Sequence, residues 1–148
     1  MAHTMTPDEI RAFLNADTRT GKLATVRADG RPHVAPVWYV LDEADNDWGF
    51  DLIFNTGAET VKGRTIRRDN RVMLAVDDER PPFAFVLIEG IAEVSDDLDG
   101  MLTWATRIGD RYMGTERAES FGRRNAVAGE LLVRLRPNRV VAQSGVAE

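Results

Sequence analysis

Hydrophobic and polar positions alternate early in the chain in a way that predicts a β-hairpin. Residues Gly21 to Ala28 alternate, Asp29-Gly30 is typical of a tight turn, and His33 to Leu41 supply the returning strand. Pro36 lies inside the returning strand, and proline cannot donate a hydrogen bond to a neighbouring strand. A bulge or a sheet edge is therefore predicted at Pro36.

The two interpretations of Pro36 give different roles to the residues beside it. Either a bulge or an edge would leave backbone groups of Val37 and Trp38 available to a ligand, whereas the alternative is an edge proline that only discourages aggregation. The sequence pattern leaves both interpretations open.

Later apolar runs predict further strands. They are Leu52 to Phe54, Val72 to Val76, Phe83 to Val94, and Glu130 to Arg136 with Val140 to Gln143. The run from Val72 is continuous and predicts a buried strand, Gly90 is predicted to form a bulge, and Pro137-Asn138 is expected to interrupt or end the last strand. The first five strands are predicted to form a meander.

Helical periodicity appears at three places. Thr6-Pro7-Asp8-Glu9 forms a capping box before a short amphipathic helix, and residues Glu116 to Ala126 predict a weaker helix. Between them, Ser95-Asp96-Asp97 begins the clearest helix. Its apolar face is predicted to comprise Leu98, Met101, Leu102, Ala105, Ile108 and Tyr112. The overall order predicts an α+β or barrel-like domain that is mainly β.

The most informative stretch runs from Leu52 to Arg71, where a strand, a glycine turn at Gly57 and a basic helix follow one another. A helix N-terminus presents unpaired N–H groups and a partial positive charge to anions. Lys62 and Arg64 lie within the first turns of the predicted helix, which indicates a phosphate site. A solvated basic helix face, with arginines paired to acids, is the alternative.

The distribution of charge along the chain bears on the choice between a phosphate site and a solvated basic helix face. The chain of 148 residues has a formal net charge of −5, yet residues 62–71 carry a net charge of +4, which leaves −9 elsewhere. An acidic chain with one basic segment is not typical of a general nucleic-acid binder and fits a small acidic ligand. The length and composition are typical of one soluble domain.

Residue usage excludes several chemistries. There is no cysteine, and of the two histidines His3 lies in residues 1–4, which are interpreted as a cloning remnant before a natural start at Met5. A transition-metal site and a serine–histidine–acid centre are therefore not expected, and His33 is interpreted as structural. No long apolar stretch and no cleavable signal is visible, so a cytoplasmic location without membrane insertion is expected for the domain of residues 5–148.

Several segments in a common order carry a resemblance to a known family. They are Gly21 to Val26, Asp29 to Val34, Pro36 to Tyr39, Phe54 to Thr56, Val61 to Arg64, Arg68 to Val72, and Ile88 to Val94. Together they resemble the pyridoxamine 5′-phosphate oxidase-like split β-barrels, and within them the F420-dependent flavin/deazaflavin oxidoreductases. The resemblance covers roughly Ile10 to Val141. It implies an FMN-binding-like Greek-key barrel with peripheral helices that forms a homodimer.

The resemblance also implies a cofactor site. Its residues would be Val37, Trp38, Phe54, Asn55, Thr56, Thr60, Lys62, Gly63 and Arg64, with Phe85 contributed by the second subunit. Lys62 and Arg64 would bind the cofactor phosphate, with Thr60 as a hydroxyl donor, and the ring system would lie along Val37 and Trp38. Arg67, Arg68 and Arg71 are assigned structural or surface roles.

Two departures separate the chain from relatives that oxidise pyridoxamine phosphate. The strand Phe85 to Gly90 lacks the polar residue that those oxidases carry, and their substrate-phosphate residues are not recognised near the C-terminus. The resemblance therefore favours F420 over FMN and implies hydride transfer from reduced F420 to a conjugated or electron-poor small molecule. An FMN-dependent oxidase or reductase and a non-catalytic F420 carrier are the alternatives.

No catalytic side chain is assigned, because the cofactor itself would carry the reactive atom. Tyr39 could donate a proton, although packing within a strand is the more common role of such a tyrosine. Among the tryptophans, Trp38 lies near the expected ring site, and Trp104 is interpreted as packing.

Overall fold

The computed structural model describes residues 1–148 and contains eight strands and four helices. The elements are β1 (His3–Thr4), α1 (Pro7–Asn15), β2 (Gly21–Val26), β3 (Pro32–Val37), β4 (Val40–Glu43), β5 (Phe50–Gly57), α2 (Val61–Arg68), β6 (Arg71–Asp78), β7 (Ala84–Ser95), α3 (Leu98–Met113), α4 (Thr115–Asn125) and β8 (Glu130–Ser144). The prediction of a mainly β domain with peripheral helices is confirmed.

All strand pairs are antiparallel, and the sheet order is β3-β2-β6-β7-β8-β5-β4, with β1 paired to β8. The predicted hairpin of β2 and β3 is confirmed, with Thr25 opposite His33. The predicted five-strand meander is wrong, because β6 pairs with β2 and β5 pairs with β8. These partners are distant in sequence, and an apolar pattern identifies a buried face without identifying the neighbouring strand.

The single strand predicted from His33 to Leu41 is wrong, because it is two strands separated at Trp38-Tyr39. These strands, β3 and β4, form the two edges of the sheet and are not paired with each other. Pro36 lies on the edge strand β3 opposite Lys22, in an unbroken register. The edge interpretation of Pro36 is therefore confirmed, and there is no bulge at that position.

A register shift between Glu89 and Gly90 is present at the predicted place, but the bulge lies in β8 and not in β7 as predicted. Arg139 and Pro137 of β8 stand opposite these two residues, so Asn138 is the extra residue. The last strand is therefore irregular at the predicted place but continues through it.

β5 and β6 differ in how many of their two faces are buried by other elements. In β5, Leu52 and Phe54 face the main core, and Ile53 is buried on the opposite face, where α3 packs. β6 instead alternates, with Leu74 fully buried and Met73 38% exposed. The prediction of a strand buried on both faces is wrong for β6, because no element of the chain covers its outer face.

The helices begin where the caps were predicted. Thr6 and Glu9 form the reciprocal capping box of α1, at 3.2 and 3.0 Å, and the Asp97 side chain accepts from Gly100 N at the start of α3. The buried stripe of α3 is narrower than predicted. Met101, Ala105 and Ile108 are buried, whereas Leu98 and Leu102 are 47% and 39% exposed.

The helix α4 packs almost entirely on α3. Gly109 of α3 lies against Phe121, and Gly122 of α4 lies so close to Thr106 that an added Cβ would be 2.1 Å from its hydroxyl oxygen. The two helices therefore form a tight hairpin whose position depends on α3. None of the helices is both long and apolar enough to cross a bilayer.

Candidate functional site

A cleft of about 330 Å³ lies where the ends of β3 and β5 meet the start of α2 and the α3–α4 hairpin. Its lining residues are Pro36, Val37, Trp38, Asn55, Thr56, Gly57, Thr60, Lys62, Ile108, Phe121, Asn125 and Glu130. Six predicted cofactor-binding residues are among them: Val37, Trp38, Asn55, Thr56, Thr60 and Lys62. A roomier hollow of about 780 Å³ beside α1 has an acidic rim and no unpartnered buried polar atom.

The turn before α2 is organised by the hydroxyl of Thr60, which is the N-cap residue of that helix. The Thr60 Oγ1 atom accepts from Gly63 N at 3.1 Å, lies 3.2 Å from the hydroxyl of Thr56, and donates to Gly57 O at 2.7 Å. This capping leaves the N–H groups of Val61 and Lys62 without an acceptor in the chain. Those groups, at the positive end of the helix dipole, can bind an anion.

The role predicted for Thr60, as a donor to a phosphate, stays a prediction. In this geometry its hydroxyl hydrogen is given to the Gly57 carbonyl, so the observed role of Thr60 is to shape the turn. Gly63 has a related role, because a Cβ at that position would lie 2.1 Å from the Gly57 carbonyl oxygen. Only glycine lets the helix approach the turn this closely.

The basic residues of α2 and the segment after it fall into two groups. Lys62 and Arg64 form no ion pair and no side-chain hydrogen bond, although Lys62 lines the cleft and Arg64 is exposed on the same helix. Arg67 instead contacts Glu59 and the Ala58 carbonyl. Arg68 contacts the Val26 carbonyl, and Arg71 pairs with Asp69 at 2.8 Å.

The Asn55 side chain is a buried polar group of the cleft that forms no hydrogen bond within the protein. Both its amide nitrogen and its amide oxygen are buried and have no hydrogen-bond partner in the protein. Asn55 lies two residues after Ile53 and therefore on the same face of β5, which α3 covers. It lines the cleft beside Ile108. A buried amide without partners is costly, so its two ends are available to a ligand that offers both a donor and an acceptor.

An aromatic wall closes the other side of the cleft. The Trp38 indole stacks on the Tyr112 ring at 4.8 Å with an interplanar angle of 3°, and on the Phe121 ring at 5.7 Å. Trp38 remains 39% exposed. A flat ring system can pack against such a surface.

Tyr39 does not reach the cleft. Its side chain is fully buried, its hydroxyl donates to Leu14 O at 2.8 Å, and burial raises the pKa of Tyr39 to about 12. The interpretation of Tyr39 as a packing residue fits this position. Burial also raises the pKa of Tyr112, whose hydroxyl donates to Arg19 O.

Four predicted site residues do not line the cleft of a single chain. Phe54 is fully buried in the core, Gly63 is buried beneath the turn, and Arg64 is exposed on α2. Phe85 lies on the outer face of β7, together with Leu87 and Ile91. It would therefore reach a cleft only through a second copy of the chain.

Sequence reasoning missed the cleft residues that α3 and α4 contribute, namely Ile108, Phe121 and Asn125. It also missed Glu130, at the start of β8 opposite Gly57. Ile108 was predicted only as part of an apolar helix face, and no local signal indicates that α4 returns to the end of β3.

The sequence matches the protein family described as Pyridoxamine 5'-phosphate oxidase over residues 6–143, and the chain belongs to that family. The family includes oxidoreductases, and the resemblance stated from the sequence is confirmed. No protein with a curated description matches the chain.

Solved structures give the same fold. A conserved hypothetical protein, Rv2991 from Mycobacterium tuberculosis, is 27% identical with a TM-score of 0.79, over 95% of this chain and 86% of that one. A protein described as an F420 reductase is 26% identical with a TM-score of 0.66, over 86% and 93%. A FAD-binding protein from Mesorhizobium loti, 21% identical over 97% of both chains with a TM-score of 0.66, shows the fold alone.

Proposed function

We propose that this protein is an F420-dependent oxidoreductase that transfers a hydride from reduced F420 to a conjugated or electron-poor organic substrate. The observation that carries the proposal is the composition of one cleft. An unpartnered buried amide, the capped basic start of a helix and a flat aromatic wall all face the same space of about 330 Å³. A phosphorylated ring cofactor offers a phosphate to the helix start, a flat face to the aromatic wall and hydrogen-bonding groups to the amide.

The residues present fit such a cofactor at its phosphate end. The N–H groups of Val61 and Lys62 have no acceptor in the chain, and the Lys62 ammonium has no acid partner to neutralise it. A phosphate bound there would receive charge-assisted hydrogen bonds, which are stronger than neutral ones. Arg64 lies two residues further along the helix, on a different side from Lys62, and would add positive charge near the phosphate from outside this cleft.

The residues also fit at the ring end. Asn55 would exchange hydrogen bonds with the polar edge of a deazaflavin, and Trp38 would pack against the ring system. When bound, F420 supplies a carbon-centred hydride donor, while the protein binds and orients it and limits the access of water.

Two observations support F420 over FMN. The strand from Phe85 to Gly90 lacks the polar residue that pyridoxamine phosphate oxidases carry, and a relative described as an F420 reductase shares 26% of its sequence with this chain. FMN is the alternative cofactor, and a non-catalytic F420 carrier is the alternative role.

We also propose that the protein forms a homodimer through the outer face of the sheet. Exposed apolar side chains on five neighbouring strands share this region: Val26, Val34, Met73, Ile91 and Val141. Glu89 of β7 lies among them, and a group of exposed apolar side chains on one sheet face is typical of an interface. Phe85 lies on the same face of β7, which agrees with its predicted contribution to the site of the second subunit. Light scattering coupled to size-exclusion chromatography measures this directly, and a monomer at micromolar concentration would contradict the dimer.

Turnover distinguishes the proposed enzyme from its alternatives. Reduced F420 should be oxidised in the presence of the protein and a panel of quinones, nitroaromatics and enones, as followed by the return of F420 absorbance. Binding of F420 without oxidation by any acceptor would indicate a carrier. A protein purified yellow with flavin absorbance, and inactive with F420, would indicate an FMN enzyme.

A further inference from the structure

The break between β3 and β4 is caused by two side chains from α3. The backbone N–H of Tyr39 donates to the Tyr112 hydroxyl at 3.2 Å, and the Tyr39 carbonyl accepts from Arg111 Nη1 at 2.9 Å. Both backbone groups of Tyr39 are therefore committed to α3 and cannot join a strand ladder. Tyr39 directly follows Trp38, the residue that presents the aromatic wall to the cleft.

Arg111 connects this break to the end of α1. Its guanidinium also donates to Leu14 O at 2.8 Å and, at longer distances, to the carbonyls of Ala16 and Asp17. It lies over the Tyr39 ring at 4.6 Å and forms no ion pair with an acid. A guanidinium whose donors all go to backbone carbonyls fixes the relative position of the segments that carry them.

Tyr112 holds the same break from the cleft side. Its hydroxyl accepts from Tyr39 N and donates to Arg19 O at 2.8 Å, while its ring stacks on Trp38 with an interplanar angle of 3°. One side chain thus fixes both the backbone after Trp38 and the orientation of the Trp38 ring.

We propose that Arg111 and Tyr112 are positioning residues of the cleft: they hold the Trp38-Tyr39 segment so that Trp38 faces the ligand. This inference rests on the proposed function, because Trp38 lies at the end of the cleft where the ring system of the cofactor would bind. Neither residue is placed in direct contact with the ligand, since neither lines the cleft.

The two tyrosines of the chain provide a matched pair of variants. Tyr112→Phe and Tyr39→Phe each remove one hydroxyl that donates to a backbone carbonyl at 2.8 Å, and each retains its ring. Only the Tyr112 hydroxyl also accepts from the backbone beside Trp38. A merely structural role predicts similar losses in both variants, whereas a positioning role predicts that ligand affinity separates them.

The first test titrates wild-type protein and both variants with F420, and with FMN in parallel. Tyr112→Phe should weaken the ligand that the wild type binds by roughly fivefold to tenfold, the effect of one lost hydrogen bond, while Tyr39→Phe stays within about twofold. Arg111→Lys, which keeps the charge but loses the forked donor geometry, should also weaken binding. Equal affinities for Tyr112→Phe and Tyr39→Phe, at equal melting temperatures, would overturn the inference.

The second test needs no ligand, so it separates this inference from the proposed function. Trp38 becomes the sole tryptophan in a Trp48→Phe/Trp104→Phe background, and its acrylamide quenching is measured. Adding Tyr112→Phe should increase the quenching constant, and adding Tyr39→Phe should leave it unchanged. If neither F420 nor FMN binds the wild type, the proposed function fails, and an unchanged quenching constant in Tyr112→Phe would by itself refute the positioning role.

Discussion

The basic residues at the two ends of α2 are alike in charge and opposite in their surroundings. At the start of the helix, Lys62 and Arg64 have no acid partner, and they accompany two backbone N–H groups that lack acceptors. At the end, Arg68 contacts a carbonyl of β2, and just beyond the helix, at the start of β6, Arg71 pairs with Asp69. Positive charge that the chain itself neutralises stabilises the fold, whereas positive charge left without a partner beside a cleft is available to a ligand.

Removing both cations at the start of the helix should have the largest effect. A charge-assisted contact is worth roughly 1.5–3 kcal/mol, so Lys62→Ala should weaken F420 binding about tenfold or more. Arg64→Ala should weaken it less, because Arg64 does not line the cleft, and the double variant should weaken it most. Isothermal titration calorimetry measures the change. If the double variant binds as tightly as the wild type, the phosphate assignment is wrong.

Asn55→Leu should weaken F420 binding by about tenfold without lowering stability. The variant removes an amide that has no partner in the protein, and leaving such a group buried costs roughly 1–3 kcal/mol. Its free energy of unfolding in urea should therefore equal or exceed that of the wild type. The control is Asn46→Leu, because the Asn46 amide donates to Phe50 O and accepts from Trp48 N, and its loss should lower stability and leave affinity unchanged. If Asn55→Leu and Asn46→Leu changed affinity and stability in the same way, Asn55 would not be a ligand-binding residue.

Thr60→Ala should have an intermediate effect. Loss of an N-cap hydroxyl typically costs about 1 kcal/mol, so affinity for F420 should fall by no more than about fivefold as the start of α2 becomes less ordered. Thr60→Ser retains the cap and should bind as the wild type does. A loss in Thr60→Ala as large as that in Lys62→Ala would show that Thr60 donates directly to the ligand, as predicted from the family resemblance.

Arg71→Ala should have the smallest effect on binding, within about twofold, because this arginine is committed to Asp69. The hydrogen bond from the Arg71 side chain lowers the pKa of Asp69 to about 2, from an ordinary value of 3.8. The variant should raise that pKa towards 3.8 in an NMR titration. Since the carboxylate contributes stability above its ordinary pKa and loses it as the pH falls towards 2, the variant should be less sensitive to acid over that range. Weakened F420 binding in Arg71→Ala would contradict the separation of the two groups.

The parts of the fold that could be predicted from sequence are those set by near neighbours. The capping box at Thr6 and Glu9 and the Asp97 cap each depend on residues a few positions apart. The start of α2 belongs to the same class, because its glycine turn and Lys62 lie within a few residues of each other; anion binding there stays a prediction.

The parts that could not be predicted depend on contacts distant in sequence. The strand from His33 is broken at Tyr39 because Arg111 and Tyr112 take both of its backbone groups, and no local pattern reveals that competition. The aromatic wall has the same origin, since Phe121 reaches Trp38 only through the α3–α4 hairpin. Exposure of Met73 likewise reflects which sheet face other elements happen to cover.

The central claim is that this cleft binds a phosphorylated deazaflavin in preference to a flavin. The most direct test is to titrate the purified protein with F420 and with FMN side by side, following heat and tryptophan fluorescence. We expect micromolar or tighter binding of F420 with quenching of the tryptophan fluorescence, and weaker binding of FMN. Tight retention of FMN with no binding of F420 would contradict it.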